Sequence, residues 1–164
     1  MISKNVLKEM NDQIQAELFS AYLYLSMSAH FEAENLLGFA HWMRLQGEEE
    51  LEHALKFFDF IHDRNGRVTL QAIEQPQTTF TTPLAVFEQA YGHEQKVTAR
   101  INHIYDVARQ ENDYASQTFL NWFIDEQVEE EKSALQIVDM LKSVGDSAAA
   151  LFMLDRQLAS RTGE

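Results

Sequence analysis

The 164-residue chain contains no cysteine. That excludes disulfides and any thiolate metal site, and it fits a reducing cytoplasm. Glycine occurs six times and proline twice. So few turn formers leave little room for a strand-rich fold and favour long helices. Basic residues are scarce: 13 Lys and Arg against 26 Asp and Glu, a net charge of −13. Such a balance argues against nucleic acid and anionic membranes as partners. It suits a protein that attracts cations. No apolar run approaches the roughly 18 residues of a membrane span. The opening segment, Met1 to Val6, has no apolar core of a signal peptide. The expected location is cytoplasmic. What is abundant is apolar side chain, 45% of residues with eleven Phe. One folded domain over 1–164 is expected.

The helical period is legible along most of the chain. Ser3 is a candidate N-cap. Leu7, Met10, Ile14, Glu17, Ala21, Tyr24, Ser28 and Phe31 follow the spacing of a buried stripe, which predicts a helix to about Glu34. A second helix over about 38–64 carries Phe39, Met43, Gln46, Glu50, His53, Phe57 and Phe60. Asn65-Gly66 ends it with residues that tolerate the left-handed conformation. Residues 67–82 have no helical period and hold Pro76, five Thr and three Gln. Extended, such a segment reaches on the order of 50 Å, against on the order of 40 Å for the preceding helix. It can therefore cross a whole bundle. Thr82-Pro83 restarts helix as cap and first residue, with Leu84, Phe87, Tyr91, Glu94 and Ile101 on its stripe. Asp113 caps a fourth helix bearing Phe123, Gln127, Glu130, Ala134, Ile137 and Leu141, closed by Gly145. Asp146 is the expected cap of a last short helix with Leu151, Leu154 and Leu158 on one side.

Each long helix places a metal-capable group on its apolar stripe: Glu17, then Glu50 and His53, then Glu94, then Gln127 and Glu130. A lone polar residue there is more often a hydrogen-bonded core residue. Four helices doing so together is a different matter. Glu17 to Glu50 and Glu94 to Gln127 are both 33 residues, and Glu50 to His53 and Gln127 to Glu130 are both three. Residues three apart lie on one helical face. The chain thus reads as two helical hairpins with matched polar positions. Face-to-face packing would bring both sets together at mid-height.

Unpaired buried carboxylates are costly, so a dinuclear metal site is expected; a buried polar network without metal is the other reading. Four carboxylates, one imidazole and one amide oxygen suit iron, manganese or zinc better than copper(I). Glu50 is the natural bridge. Glu49, Glu126 and Glu129 flank the stripe, either as solvated acidic face or as an auxiliary metal position; the second is favoured. Glu48, Glu52 and Glu131 read as surface. Tyr24 is either core with its hydroxyl satisfied or a hydrogen-bond and electron donor beside the metals. Trp122 reads as core packing. His30, His41, His62, His93 and His103 read as surface or packing histidines. No phosphate loop or nucleophile motif is present.

Glu17, Glu50-x-x-His53, Glu94 and Gln127-x-x-Glu130, with the crossover and the short fifth helix, resemble the bacterial non-haem ferritins over essentially the full length. The run from Glu126 to Lys132 is also similar to that family's fourth helix. The resemblance implies an all-α fold: a ferritin-like four-helix bundle over about 4–144, with a long crossover loop and a short fifth C-terminal helix over about 146–159. It implies a ferroxidase centre using O2 or H2O2, with iron stored as a hydrous ferric oxide mineral. One iron would be held by Glu17, Glu50 and His53, the other by Glu50, Glu94 and Glu130, with Gln127 close by. Glu49, Glu126, Glu129 and Glu130 match a third iron site, and Tyr24 the family tyrosine near the centre. Twenty-four subunits would form a shell, with the short helix lining its four-fold axes. No haem is expected: bacterioferritin would place His at 130, Glu at 127 and a ligating Met at 51, where this chain has Leu51. The alternative function is a soluble dinuclear-metal oxidase of the same fold, acting on a small substrate without mineral storage.

Overall fold

The computed structural model describes residues 1–163. Five helices follow in order: α1 (Lys4–Ala33), α2 (Leu37–Asp63), α3 (Pro83–Gln110), α4 (Tyr114–Val144) and α5 (Ala148–Leu158). Among the described residues there is no strand. The starts are set by local chemistry. Ser3, Thr82 and Asp113 each accept a backbone N–H three residues on, from Val6, Ala85 and Ser116. The cap of α5 is Ser147 rather than Asp146: its hydroxyl accepts from Ala150 N at 3.2 Å. A shorter Ser side chain reaches the first-turn amides as well as Asp does, and Ser147 stands one residue closer.

Three helices end alike. Asn35, Asn65 and Asn112 adopt φ of 58°, 54° and 55°, a region that Asn tolerates better than most residues. The next residue's N–H then returns to a carbonyl of the last turn: Leu36 to Phe31, Gly66 to Ile61, and Asp113 to Ala108. These contacts satisfy carbonyls that a helix end otherwise leaves open.

Helix α1 packs along α2, and α3 along α4. The crossover lies against α1 throughout. Thr69 N–H donates to Asn11 at 2.7 Å, Gln15 donates to the Ala72 carbonyl at 3.2 Å, and Ser26 to the Gln77 carbonyl at 2.6 Å. The loop therefore climbs α1 and delivers α3 to the start of α2, where Phe87 meets Phe39 and Trp42. Helices α2 and α3 run parallel, the overhand topology expected from the loop's reach.

The apolar core is in two parts. One contains Met27, Phe31, Phe39, Met43, Phe87 and Leu141. The other contains Met10, Ile14, Phe57, Ile61, Ile101 and Phe123. On all four long helices the polar stripe positions fall between the two. Some expected core positions differ. Val6 and Ile61 are fully buried, while Leu7 and Phe60 lie at the core's margin. Trp122 is 40% exposed; on α4 the next residue, Phe123, takes the inward direction.

Helix α2 has no side-chain cap of its own. Asp155 of α5 supplies one: its Oδ1 accepts from Gly38 N at 2.8 Å and Phe39 N at 3.0 Å. The approach is close enough that a Cβ on Gly38 would stand 1.6 Å from the Asp155 carbonyl oxygen. Asp155→Ala should lower stability by about 1–2 kcal/mol, the ordinary cost of a lost cap. Gly38→Ala should cost more, because α5 must lift away. Guanidinium unfolding followed by tryptophan fluorescence measures both; equal stability of Gly38→Ala and the unaltered chain would contradict this packing.

Candidate metal centre

Helix α1 contributes Glu17, α2 Glu50 and His53, α3 Glu94, and α4 Gln127 and Glu130; all six are buried. The bundle brings together on one belt what the sequence distributes over four helices. Candidate ligand atoms of Glu17, Glu50 and His53 lie within 4.8 Å of one another. Those of His53, Glu126 and Glu130 form a second such group.

The imidazole links the two groups. His53 Nδ1 lies 3.6 Å from Glu50 Oε2, and Nε2 lies 3.9 Å from Glu126 Oε1. Burial, reinforced by the Lys56 charge, lowers the His53 pKa to about 4. The ring is therefore neutral near pH 7 and can bind a cation without first losing a proton. Trp122 and Phe123 hold it edge-on, at ring separations of 5.4 and 5.9 Å. Lys56 Nζ lies over the Trp122 ring at 4.3 Å. Trp122 thus shields the imidazole instead of filling the core.

The carboxylates differ in what already satisfies them. Glu17 Oε1 accepts from Gln13 Nε2 at 2.7 Å. Glu94 accepts from the Tyr24 hydroxyl on one oxygen and from Gln127 Nε2 on the other, the latter at 3.1 Å. Glu130 Oε2 accepts from Gln46 Nε2 at 2.6 Å. Glu17 Oε2 and both oxygens of Glu50 receive no donor from a neighbour; all that they can share is a proton between themselves. Burial, followed by the negative charges of Glu94 and Glu17, pushes the Glu50 carboxyl well above its ordinary range. Glu130 is raised likewise by burial and then by Glu94. Glu94 is raised to about 7, burial outweighing its bonds from Tyr24 and Gln127. Buried oxygens without donors, like charges and a neutral imidazole in one belt form a site that a divalent cation fits.

The remaining expected residues fall at graded distances from this centre. Tyr24 is fully buried with its hydroxyl on Glu94, an arrangement that fits both readings given for it, satisfied core and donor beside the site. Gln127 turns its amide nitrogen to Glu94, so it orients that carboxylate. Glu126 is half-buried beside His53. Glu49 is half-buried and ion-paired to Arg161 at 2.7 Å. Glu129 is exposed and belongs to neither compact group. Glu131, read as surface, is half-buried and accepts from Thr98 at 2.6 Å. His93 is a packing histidine, hydrogen-bonded to Ser20 at 2.7 Å and edge-on to Tyr24.

Two residues of the site carry no role in the sequence reading: Gln13 and Gln46. A signal existed, since they too are 33 residues apart. Arg161 lies beyond the last helix and had no such signal.

Fold and belt together define a class: a ferritin-like four-helix bundle with a candidate metal centre between two apolar cores. Comparison with known proteins agrees. The family described as a ferritin-like domain matches residues 7–144. A bacterial non-heme ferritin of Staphylococcus aureus is 38% identical over 162 residues, covering 99% of this chain and 98% of the relative. One of Bacteroides fragilis is 45% identical over 161 residues, covering 98% and 100%. An open pore ferritin from Archaeoglobus fulgidus superposes with a TM-score of 0.98 at 49% identity, over 99% of this chain and 100% of that one. The chain belongs to the ferritin family.

The electrostatics make a stability prediction for metal-free protein. A carboxyl whose folded-state pKa is raised keeps a proton that the unfolded chain has lost, so stability falls as pH rises through that window. For Glu94 the window runs from 4.5 to about 7. Metal-free protein should lose thermal stability across it, and Glu94→Gln should lose less. Calorimetry of both proteins across that range checks the sign; a steeper loss in Glu94→Gln would refute it.

Proposed function

We propose that this chain is an iron-storage and detoxification protein that oxidises Fe(II) to Fe(III) at a dinuclear ferroxidase centre within each subunit. The observation that carries the reading is the pair Glu17 and Glu50, where Glu17 Oε2 and both Glu50 oxygens are buried without a donor beside the neutral His53. Family membership supports iron over other hard cations.

On this reading the whole chain acts as one domain, and Fe(II) is substrate. One ion is taken by Glu17, Glu50 and His53, the other by Glu50, Glu94 and Glu130, with Gln127 and Tyr24 orienting Glu94. Glu50 bridges on this reading, because the charges of Glu94, Glu17 and Glu130 all reach its carboxyl. As cations enter, protons held on the carboxyls leave. Each iron gives up one electron, so two reduce O2 with two protons to H2O2, or H2O2 with two protons to water. Glu126 begins an outer position for a third ion; Glu49 and Glu129 join it by side-chain movement, with Glu130 shared. Fe(III) then collects as hydrous ferric oxide inside a shell.

Assembly is part of the proposal. Phe152 and Met153 on α5 are 61% and 72% exposed in the lone subunit, and Tyr22, Leu25 and Leu55 are also exposed. Such apolar area fits burial against further copies. The archaeal relative is described as an open pore ferritin, which supports a hollow assembly; twenty-four subunits is what the ferritin resemblance implies. We place it in the cytoplasm, without haem.

Stopped-flow absorbance after mixing with Fe(II) in air tests the centre. Glu50→Ala and His53→Ala should each abolish the fast oxidation phase, and a wild-type initial rate in both would overturn the assignment. Size-exclusion chromatography tests storage: a monomer or dimer would favour the small-substrate oxidase.

A further inference from the structure

Two glutamines stand one turn before the two paired glutamates: Gln13 before Glu17 and Gln46 before Glu50. Both are fully buried. Each gives its amide N–H to a carboxylate of the belt, Gln13 to Glu17 and Gln46 to Glu130. Each has its amide oxygen held by a guanidinium. Arg100 Nε donates to Gln13 Oε1 at 3.1 Å, and Arg161 Nη1 donates to Gln46 Oε1 at 3.0 Å.

The chemistry of the pair decides its sense. A glutamine amide can turn over and exchange oxygen for nitrogen with little change in shape, but arginine only donates. With the oxygen committed to arginine, only the NH2 can face the carboxylate. A carboxylate held on one oxygen presents the other to a metal, and such outer partners set ligand orientation.

Arg161 is half-buried and held by several partners. It donates to Glu49 Oε2 at 2.7 Å and to the Trp42 carbonyl at 3.3 Å, and its guanidinium lies 4.5 Å from the Trp42 ring centroid. Its own carbonyl accepts from His41 Nε2 at 2.8 Å. The segment after α5 is thus fastened to α2 from His41 to Glu49, about two turns, and the fastening at Gln46 touches the belt. We propose that Arg161 is a positioning residue of the metal centre, acting through Gln46 on Glu130, so that the centre depends on the seating of the C-terminal segment. This rests on Glu130 being a metal ligand, as proposed above.

Co(II) is the probe, titrated into the assembled protein by calorimetry with its visible d–d absorption recorded. Wild type should bind two Co(II) per subunit in two steps. Arg161→Ala should weaken one step by about tenfold or more, the usual cost of losing such a partner, and change that step's spectrum. Gln46→Leu should do the same, and the double variant should be no worse than Gln46→Leu alone. Arg100→Ala should weaken the other step. A wild type that takes up no pair of Co(II) ions would overturn the metal-site reading and this inference with it. A wild type that binds the pair, matched by Arg161→Ala in affinity and spectrum, overturns this inference alone. So would additive losses in the double variant.

Discussion

Glu17, Glu50, Glu94 and Glu130 bury four carboxyl groups in one belt of the bundle, and the rest of the structure is arranged around that constraint. Buried like charges are among the least favourable arrangements a fold can hold. Here hydrogen-bond donors stop short of satisfying them. Glu94 is given two donors, Glu130 and Glu17 one each, and Glu50 is left to its acidic neighbours. Without a cation the belt must hold protons instead. The apolar residues above and below supply the stability that lets the belt persist. Phe31, Phe39 and Phe87 pack at one end, and Phe57, Phe119 and Phe123 at the other.

The same constraint explains the neighbours of His53. A protonated imidazole among carboxylates would form ion pairs and close the site. Burial against Trp122 and Phe123, with Lys56 nearby, keeps it neutral and leaves one ring nitrogen's lone pair for a cation. Asp155 at the start of α2 and Arg161 near its middle fasten the C-terminal helix and the segment after it to the helix that carries Glu50 and His53. The fifth helix is therefore tied mechanically to the helix bearing the central ligands.

Much of this was legible in the sequence. The helices, the loop crossing and the six belt positions follow from spacing, because a helix converts sequence distance into face and height with little ambiguity. The departures are local. Leu7 and Phe60 gave way to Val6 and Ile61, and Trp122 stayed outside while the expected Phe123 went in, because a stripe of apolar residues is wider than the line that meets the core. Ser147 replaced Asp146 because two adjacent cap formers differ only in where the helix turn begins. Glu49, Glu126 and Glu129 looked equivalent as flanking acids. Packing separated them: one pairs with Arg161, one lies beside His53, and one faces outward.

The sequence by itself determined which chemistry could gather in the bundle: four carboxylates, one imidazole and one amide at matched heights, with no thiol to compete. That information is local, since helical period alone carries it. Only the tertiary structure decided which oxygen of each carboxylate is held and which is left open. It alone placed Gln13, Gln46, Arg100 and Arg161 around them. Those choices depend on where separate helices approach each other, and side chains more than a hundred residues apart, such as Gln46 and Arg161, meet only once the core has packed.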